Sequence, residues 1–156
     1  MEKFLPLDEI KARIGQEIGK TEWMRIDQER INKFADCTED RQWIHMDPER
    51  AAKGPYGKIV AHGFLTISLL PYLTRKLTFA PEGFNLIVNY GMNKVRFIEP
   101  VPVNAMIRDV MGLKAVNEKG SEKILLTMQH TIEIQGIPKP ACVLETLRLF
   151  MKGQPQ

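Results

Sequence analysis

From Lys123 to Gln135 the chain alternates strictly between two kinds of residue. Ile124, Leu126, Met128, His130, Ile132 and Ile134 share one face, while Leu125, Thr127, Gln129, Thr131 and Glu133 share the other. A period of two sustained over that length is a strand with one face buried. It has β-type neighbours on both sides. Leu86–Tyr90 and Lys94–Ile98 are separated by Gly91, and Ala105–Val116 leads into a turn at Asn117–Gly120. A last strand over about Ala141–Met151 follows a turn at Gly136 and Pro138. Successive strands joined by short turns predict an antiparallel sheet. Such a sheet needs an apolar partner, and the segment Gly63–Lys76 is the good candidate. Its Phe64, Leu65, Ile67, Leu69, Leu70, Tyr72 and Leu73 cover more than one helical face, as in a buried helix. Pro71 is expected to kink it. The layout is α+β.

Two shorter helices are expected before it. Asp27 can cap a helix over roughly residues 28–36, with Ile31, Phe34 and Ala35 on one face. Asp47-Pro48-Glu49 combines a cap, a proline at the first helical position and an acid at the positive end of the dipole. Gly54 would end that helix. The stretch between them, Cys37 to Met46, is expected to be a loop.

At 156 residues the chain suits one domain, taken as residues 1–156. A hydrophobic fraction of 44% excludes intrinsic disorder. No window approaches the roughly 18 unbroken apolar residues of a membrane span. The first residues, MEKFLPLDEIKARIGQ, carry acids and lack an apolar core, so no signal peptide is expected. The net charge of +3 comes from interspersed signs, without the basic block of a nucleic-acid arm. Cys37 and Cys142 have no CxxC partner and are expected to be buried thiols in a reducing, cytoplasmic setting. Three histidines without a cysteine or acidic cluster give no metal signature, and no cofactor is expected. Neither a phosphate loop nor a nucleophile elbow is present. His130 reads as a packed core histidine, and the eight methionines as core filler.

Acids and histidines meet in one stretch, Thr38-Glu39-Asp40-Arg41-Gln42-Trp43-Ile44-His45-Met46-Asp47-Pro48. A carboxylate and an imidazole can together hold and polarise one water, the imidazole exchanging a proton near neutral pH. By itself Asp40-x4-His45 reads better as a chance pair or a surface salt link. Further on stands Ile59-Val60-Ala61-His62-Gly63-Phe64-Leu65. A glycine opening a buried helix leaves backbone N–H groups that can stabilise an oxyanion, or simply permits a tight turn.

Taken together, D-x4-H-x-D-P followed by I-V-A-H-G-F-L resembles the signature of MaoC-like dehydratases and (R)-specific enoyl-CoA hydratases. Asn93-Lys94-Val95-Arg96-Phe97-Ile98-Glu99-Pro100-Val101 resembles that family's strand followed by "PV". The likeness covers roughly residues 20–150, and the Gln42-Trp43-Ile44-His45 wording is closest to the nodulation-protein-N-like branch. It implies a hot-dog fold, an antiparallel sheet wrapped around a long central helix. It also implies a homodimer and an acyl-CoA thioester as ligand. By position, Asp40 and His45 match the water-activating pair, and Gly63 matches the residue whose N–H binds the thioester oxygen. His62 and Ser68 fall near the implied substrate pocket, although His62 also reads as the residue that leads into the helix. Gln42-Trp43 stands where such hydratases usually have Asn-Pro. The activity implied is hydration of trans-2-enoyl-CoA to (R)-3-hydroxyacyl-CoA. A thioesterase on the same fold and a non-catalytic acyl-CoA-binding protein remain open at this point.

Overall fold

A computed structural model describes residues 3–153; residues 1, 2 and 154–156 of the expected domain lie outside the described residues. In chain order the elements are β1 (Lys3–Leu5), α1 (Leu7–Lys11), β2 (Glu17–Lys20), β3 (Met24–Arg25), α2 (Gln28–Thr38), α3 (Trp43–Met46), α4 (Pro48–Ala52), α5 (Gly63–Ser68) and α6 (Leu70–Leu73). A 3-10 turn, Thr74–Lys76, precedes β4 (Phe79–Pro81), β5 (Leu86–Phe97), β6 (Met106–Glu118), β7 (Lys123–Ile134) and β8 (Ile137–Met151). Six strands form one antiparallel sheet in the order β2-β6-β7-β8-β5, with β3 also pairing β6.

The alternating run is β7, at the centre of this sheet, and its even-numbered residues face the core as expected. Gly91 does not break β5. The strand runs through it, and register shifts at Asn89/Gly91 and Asn93/Arg96 absorb the irregularity as bulges. The last strand begins at Ile137 rather than Ala141. The turn is complete within Gln135-Gly136, where Gly136 adopts φ +77°. Pro138 can stand inside β8 because β5 joins that strand only from Cys142 onward.

The buried helix is present but segmented. Leu65, Ile67, Leu69, Leu70 and Leu73 are all buried, and each such side chain stabilises the fold by roughly 1.5–3 kcal/mol. Pro71 has no N–H to give to the carbonyl of Ile67, so the helix stops at Ser68 and restarts at Leu70. The expected single helix over Gly63–Lys76 is therefore α5, α6 and the 3-10 turn laid end to end.

Two apolar clusters result. One gathers α2, α5 and α6 on Ile107, Ile132 and Leu144; the other gathers α1, β4 and Phe84 on Met111, Met128 and Phe150. His130 lies between them along β7. It is a core histidine as expected, but a bonded one. Its Nδ1 is 2.7 Å from Asp109 Oδ2 and its Nε2 2.9 Å from Thr146 Oγ1, with the His130 and Asp109 side chains fully buried.

Candidate active site

Asp27 caps α2 as expected, accepting from Arg30 N at 2.9 Å. The helix runs to Thr38 and ends at Glu39 in the left-handed region, φ +61°. The chain then crosses the exposed Asp40 and turns into α3. The expected loop over Cys37–Met46 is thus shorter, and His45 stands on a helical turn instead. Gln42 O accepts from His45 N at 2.9 Å to begin that turn. Asp47 begins α4, accepting from Arg50 N at 3.0 Å.

Trp43 packs the two ends of this stretch together. Its indole lies against Gly54, where a Cβ would sit 2.7 Å from the ring, and the Arg50 guanidinium stacks on it at 4.6 Å. The segment 59–61 is held on two sides. Val60 N donates to Ile44 O at 3.2 Å, and Ala61 N donates to Val101 O at 2.8 Å. Gln28 of α2 donates its amide to His45 O at 2.9 Å.

These contacts fix the His45 ring. Its Nδ1 lies 2.6 Å from Val60 O. A carbonyl only accepts, so Nδ1 carries the hydrogen and Nε2 keeps the lone pair. Burial pushes the His45 pKa down, and neighbouring His62 adds to this, while the Val60 carbonyl and the Asp40 carboxylate pull it up; the net direction is down. His45 is therefore the neutral imidazole of a proton acceptor.

Asp40, His45 and His62 come together. One side-chain donor atom from each lies within 4.8 Å of the others. A cation would find a carboxylate and two imidazoles here. The two rings are stacked, 3.7 Å apart at 29°.

His45 and Gly63 line one cavity of about 340 Å³, together with Thr66, Phe97, Pro100 and Val101. Gly63 opens α5, where first-turn N–H groups have no helical acceptor. The need for glycine is a close approach: a Cβ here would sit 2.8 Å from the Phe97 ring. Ser68 is not brought to this cavity. It is exposed, on the opposite face of α5 from Thr66, which takes the lining position. His62 is buried behind His45 and does not line the cavity. Phe97, Pro100 and Val101 belong to the strand-then-PV stretch visible in the sequence. Thr66 carried no signal beyond helical periodicity. Among the described residues, no helix is long and apolar enough to cross a membrane.

Comparison with known proteins matches residues 9–133 to the family described as MaoC like domain. Over 147 residues the chain is 44% identical to 3-hydroxyacyl-thioester dehydratase Z of Mycobacterium tuberculosis, covering 94% of this chain and 97% of that one. It is 40% identical to Nodulation protein N of Rhizobium leguminosarum bv. viciae, covering 88% and 86%. The solved (R)-hydratase from A. caviae, involved in PHA biosynthesis, superposes with a TM-score of 0.69 at 26% identity, covering 86% of this chain and 96% of that one. The sheet and its segmented helix are the hot-dog fold, and the chemistry is that of a hydro-lyase. With a family match over residues 9–133 and a relative 44% identical along nearly its whole length, this chain belongs to the MaoC-like dehydratase family.

Proposed function

We propose that this hydro-lyase is an (R)-specific enoyl-CoA hydratase, adding water syn across trans-2-enoyl-CoA to give (R)-3-hydroxyacyl-CoA. The observation that carries the reading is His45. Its Nδ1–H is tied to Val60 O, its pKa is depressed, and its ring lines a cavity shared with Gly63. A water between His45 Nε2 and the Asp40 carboxylate can donate one hydrogen to each. A lone pair on its oxygen is then free to attack C3. As the C3–O bond forms, the double-bond electrons move through C2 to the thioester oxygen, where the Gly63 N–H receives the charge. The proton lost by water enters the Asp40–His45 pair and a proton returns from it to C2. The pair acts as one unit, and acid and base are not assigned singly. No metal or redox cofactor takes part in this scheme.

The same reading includes a homodimer in the cytoplasm. Met92 and Phe97, on the helix side of β5, are 48% and 49% exposed. Beside them the helix presents Phe64 at 71%, its ring 5.9 Å from that of Phe97. These exposed apolar side chains are the surface a second copy would cover. Both cysteines are free thiols; Cys142 is buried as expected, whereas Cys37, in the last turn of α2, is exposed.

The test is loss of enoyl absorbance across crotonyl- to dodecenoyl-CoA, with chiral analysis of the product. Turnover to the (R)-alcohol is expected. Release of free thiol without hydration would point to a thioesterase instead, and tight binding without turnover to an acyl-CoA-binding protein.

A further inference from the structure

The histidine that leads into α5 is a third member of this site, although it faces neither cavity nor solvent. His62 is 2% exposed. Its ring stacks on His45 at 3.7 Å and meets Phe34 of α2 at 5.0 Å. Its Nε2 lies 2.9 Å from the main-chain oxygen of Asp40, which is 22 residues earlier in the chain. We propose that His62 is a positioning residue that joins the two catalytic side chains into one unit, backing the His45 ring with its own and tethering Asp40 through Nε2–H. The catalytic part of this proposal rests on the hydratase reading above.

Asp40 needs such a tether. It is exposed, on the short stretch between the left-handed Glu39 and the start of α3. The main-chain bond there, from Arg41 N to Glu39 O at 3.1 Å, spans the residue without holding it against the core. His62, by contrast, is fixed by the packed start of α5. A bond from His62 to the Asp40 carbonyl transfers that rigidity to the carboxylate.

The choice of histidine argues the same way. A carbonyl acceptor places the hydrogen on Nε2, so Nδ1 of the neutral ring keeps a lone pair. That nitrogen is buried and has no hydrogen-bond partner. Buried polar atoms are nearly always paired. An apolar ring would fill the same stack without leaving a bare nitrogen. What an apolar ring cannot do is donate to Asp40 O. The unpaired Nδ1 accompanies a useful Nε2–H.

The arrangement also bears on the proton affinity of His45. The titratable groups acting on it are His62 from the head of α5 and Asp40 from the loop. Around them, Val60 gives a carbonyl and Gln28 of α2 bonds the His45 main chain. Asp47 and Arg50 of α4 are engaged elsewhere, in the α4 cap and on the Trp43 ring. Removing the His62 ring admits water beside His45 and deletes a neighbour that disfavours its charged form.

Three variants separate the parts. His62→Phe keeps a ring on His45 and loses the donor. His62→Gln can donate to Asp40 O and loses the ring. His62→Ala loses both. Hydration kinetics are expected to show kcat lowered about 10-fold in His62→Phe, with KM within about 2-fold, because misplaced catalytic groups cost rate rather than ground-state binding. His62→Gln should recover part of that loss. His62→Ala should lose about 100-fold, with the acid limb of kcat/KM moved to higher pH. A residue needed only for folding would lower melting temperature and active fraction without moving that limb. Nitrogen-15 NMR of the wild-type rings gives a readout independent of turnover and of mutant folding. Hydrogen on Nε2 of His62 and on Nδ1 of His45 is expected. The opposite tautomer at His62, or a folded His62→Ala with unchanged kcat and acid limb, overturns the proposal. A wild-type protein inert toward enoyl-CoA would sink the hydratase reading, while the ring tautomers would still decide the tether.

Discussion

His45 has opposed influences on its charge. Burial and His62 disfavour the cation, and Val60 O and Asp40 favour it. The downward balance makes two expectations. The acid limb of kcat/KM should fall below the roughly 6.5 of an ordinary imidazole. The fold binds fewer protons at this ring than the unfolded chain does. The stability from His45 is therefore present above about pH 6.5 and erodes as pH drops through that value toward the folded pKa. A pH–rate profile checks the first and melting against pH the second. Asp40→Asn and His45→Ala should each lower kcat by roughly 100-fold, and the double variant should cost far less than the product. Near-wild-type hydration in either single variant removes the pair from the mechanism. Gly63→Ala keeps its N–H, but its methyl must push the Phe97 ring, 2.8 Å away, out over the cavity. A folded protein with kcat/KM reduced roughly 10- to 1000-fold is expected, from displacement of the oxyanion contact. Unchanged melting and unchanged kinetics would show that the space is merely spare. Asp40, His45 and Gly63 could be named from the sequence because the wording that resembles the family lies in two short stretches of chain; the structure brings Asp40 to His45 and sets His45 and Gly63 on one cavity. That Ser68 faces solvent and His62 packs behind His45 was not legible, since which side chains pack inward around α5 is settled by tertiary contacts.

Elements legible in the sequence were those with long, regular patterns. The alternation of β7, the Asp27 cap of α2 and the Asp47-Pro48 start of α4 each follow from local rules. What escaped was short or non-local. β1 pairs parallel with β4, 76 residues downstream at Lys3–Phe79, and three-residue strands have no period to detect. The turn α3 is held by Trp43 between Arg50 and Gly54, a packing arrangement that propensities do not encode. The same holds for the Asp109–His130–Thr146 bonds, which join the three central strands β6, β7 and β8. Only register brings Asp109 beside His130. Thr21 strengthens the seam, accepting from Asp109 N at 2.9 Å. Asp109→Ala would leave a buried imidazole nitrogen without its hydrogen-bond partner, at a cost of about 1–3 kcal/mol. Melting should fall by about 5 °C, and less for Asp109→Asn, which keeps an acceptor. An Asp109→Ala protein that melts like wild type would show that the pair contributes little.

At the scale of the molecule, the exposed helix side of β5 and the Phe64 ring packed beside it set the expected assembly. Light scattering at micromolar concentration should give twice the 17.9 kDa chain mass. Charged replacements at Phe64 and Met92 together should give the monomer. A wild-type monomer at that concentration would refute the homodimer. The strand order has a further consequence, for how the chain folds. β6, β7 and β8 follow one another through short turns, so their pairing closes small loops and can form early. β5 comes before them in the chain but pairs with β8, across separations that run from Phe97–Cys142 to Leu86–Met151. Contacts of that span form late. Until they do, β8 presents a full row of unpaired N–H and C=O groups. The β5 of a neighbouring chain satisfies that row as well as the chain's own β5. Refolding at high protein concentration should therefore yield strand-swapped dimers, and dilute refolding should not.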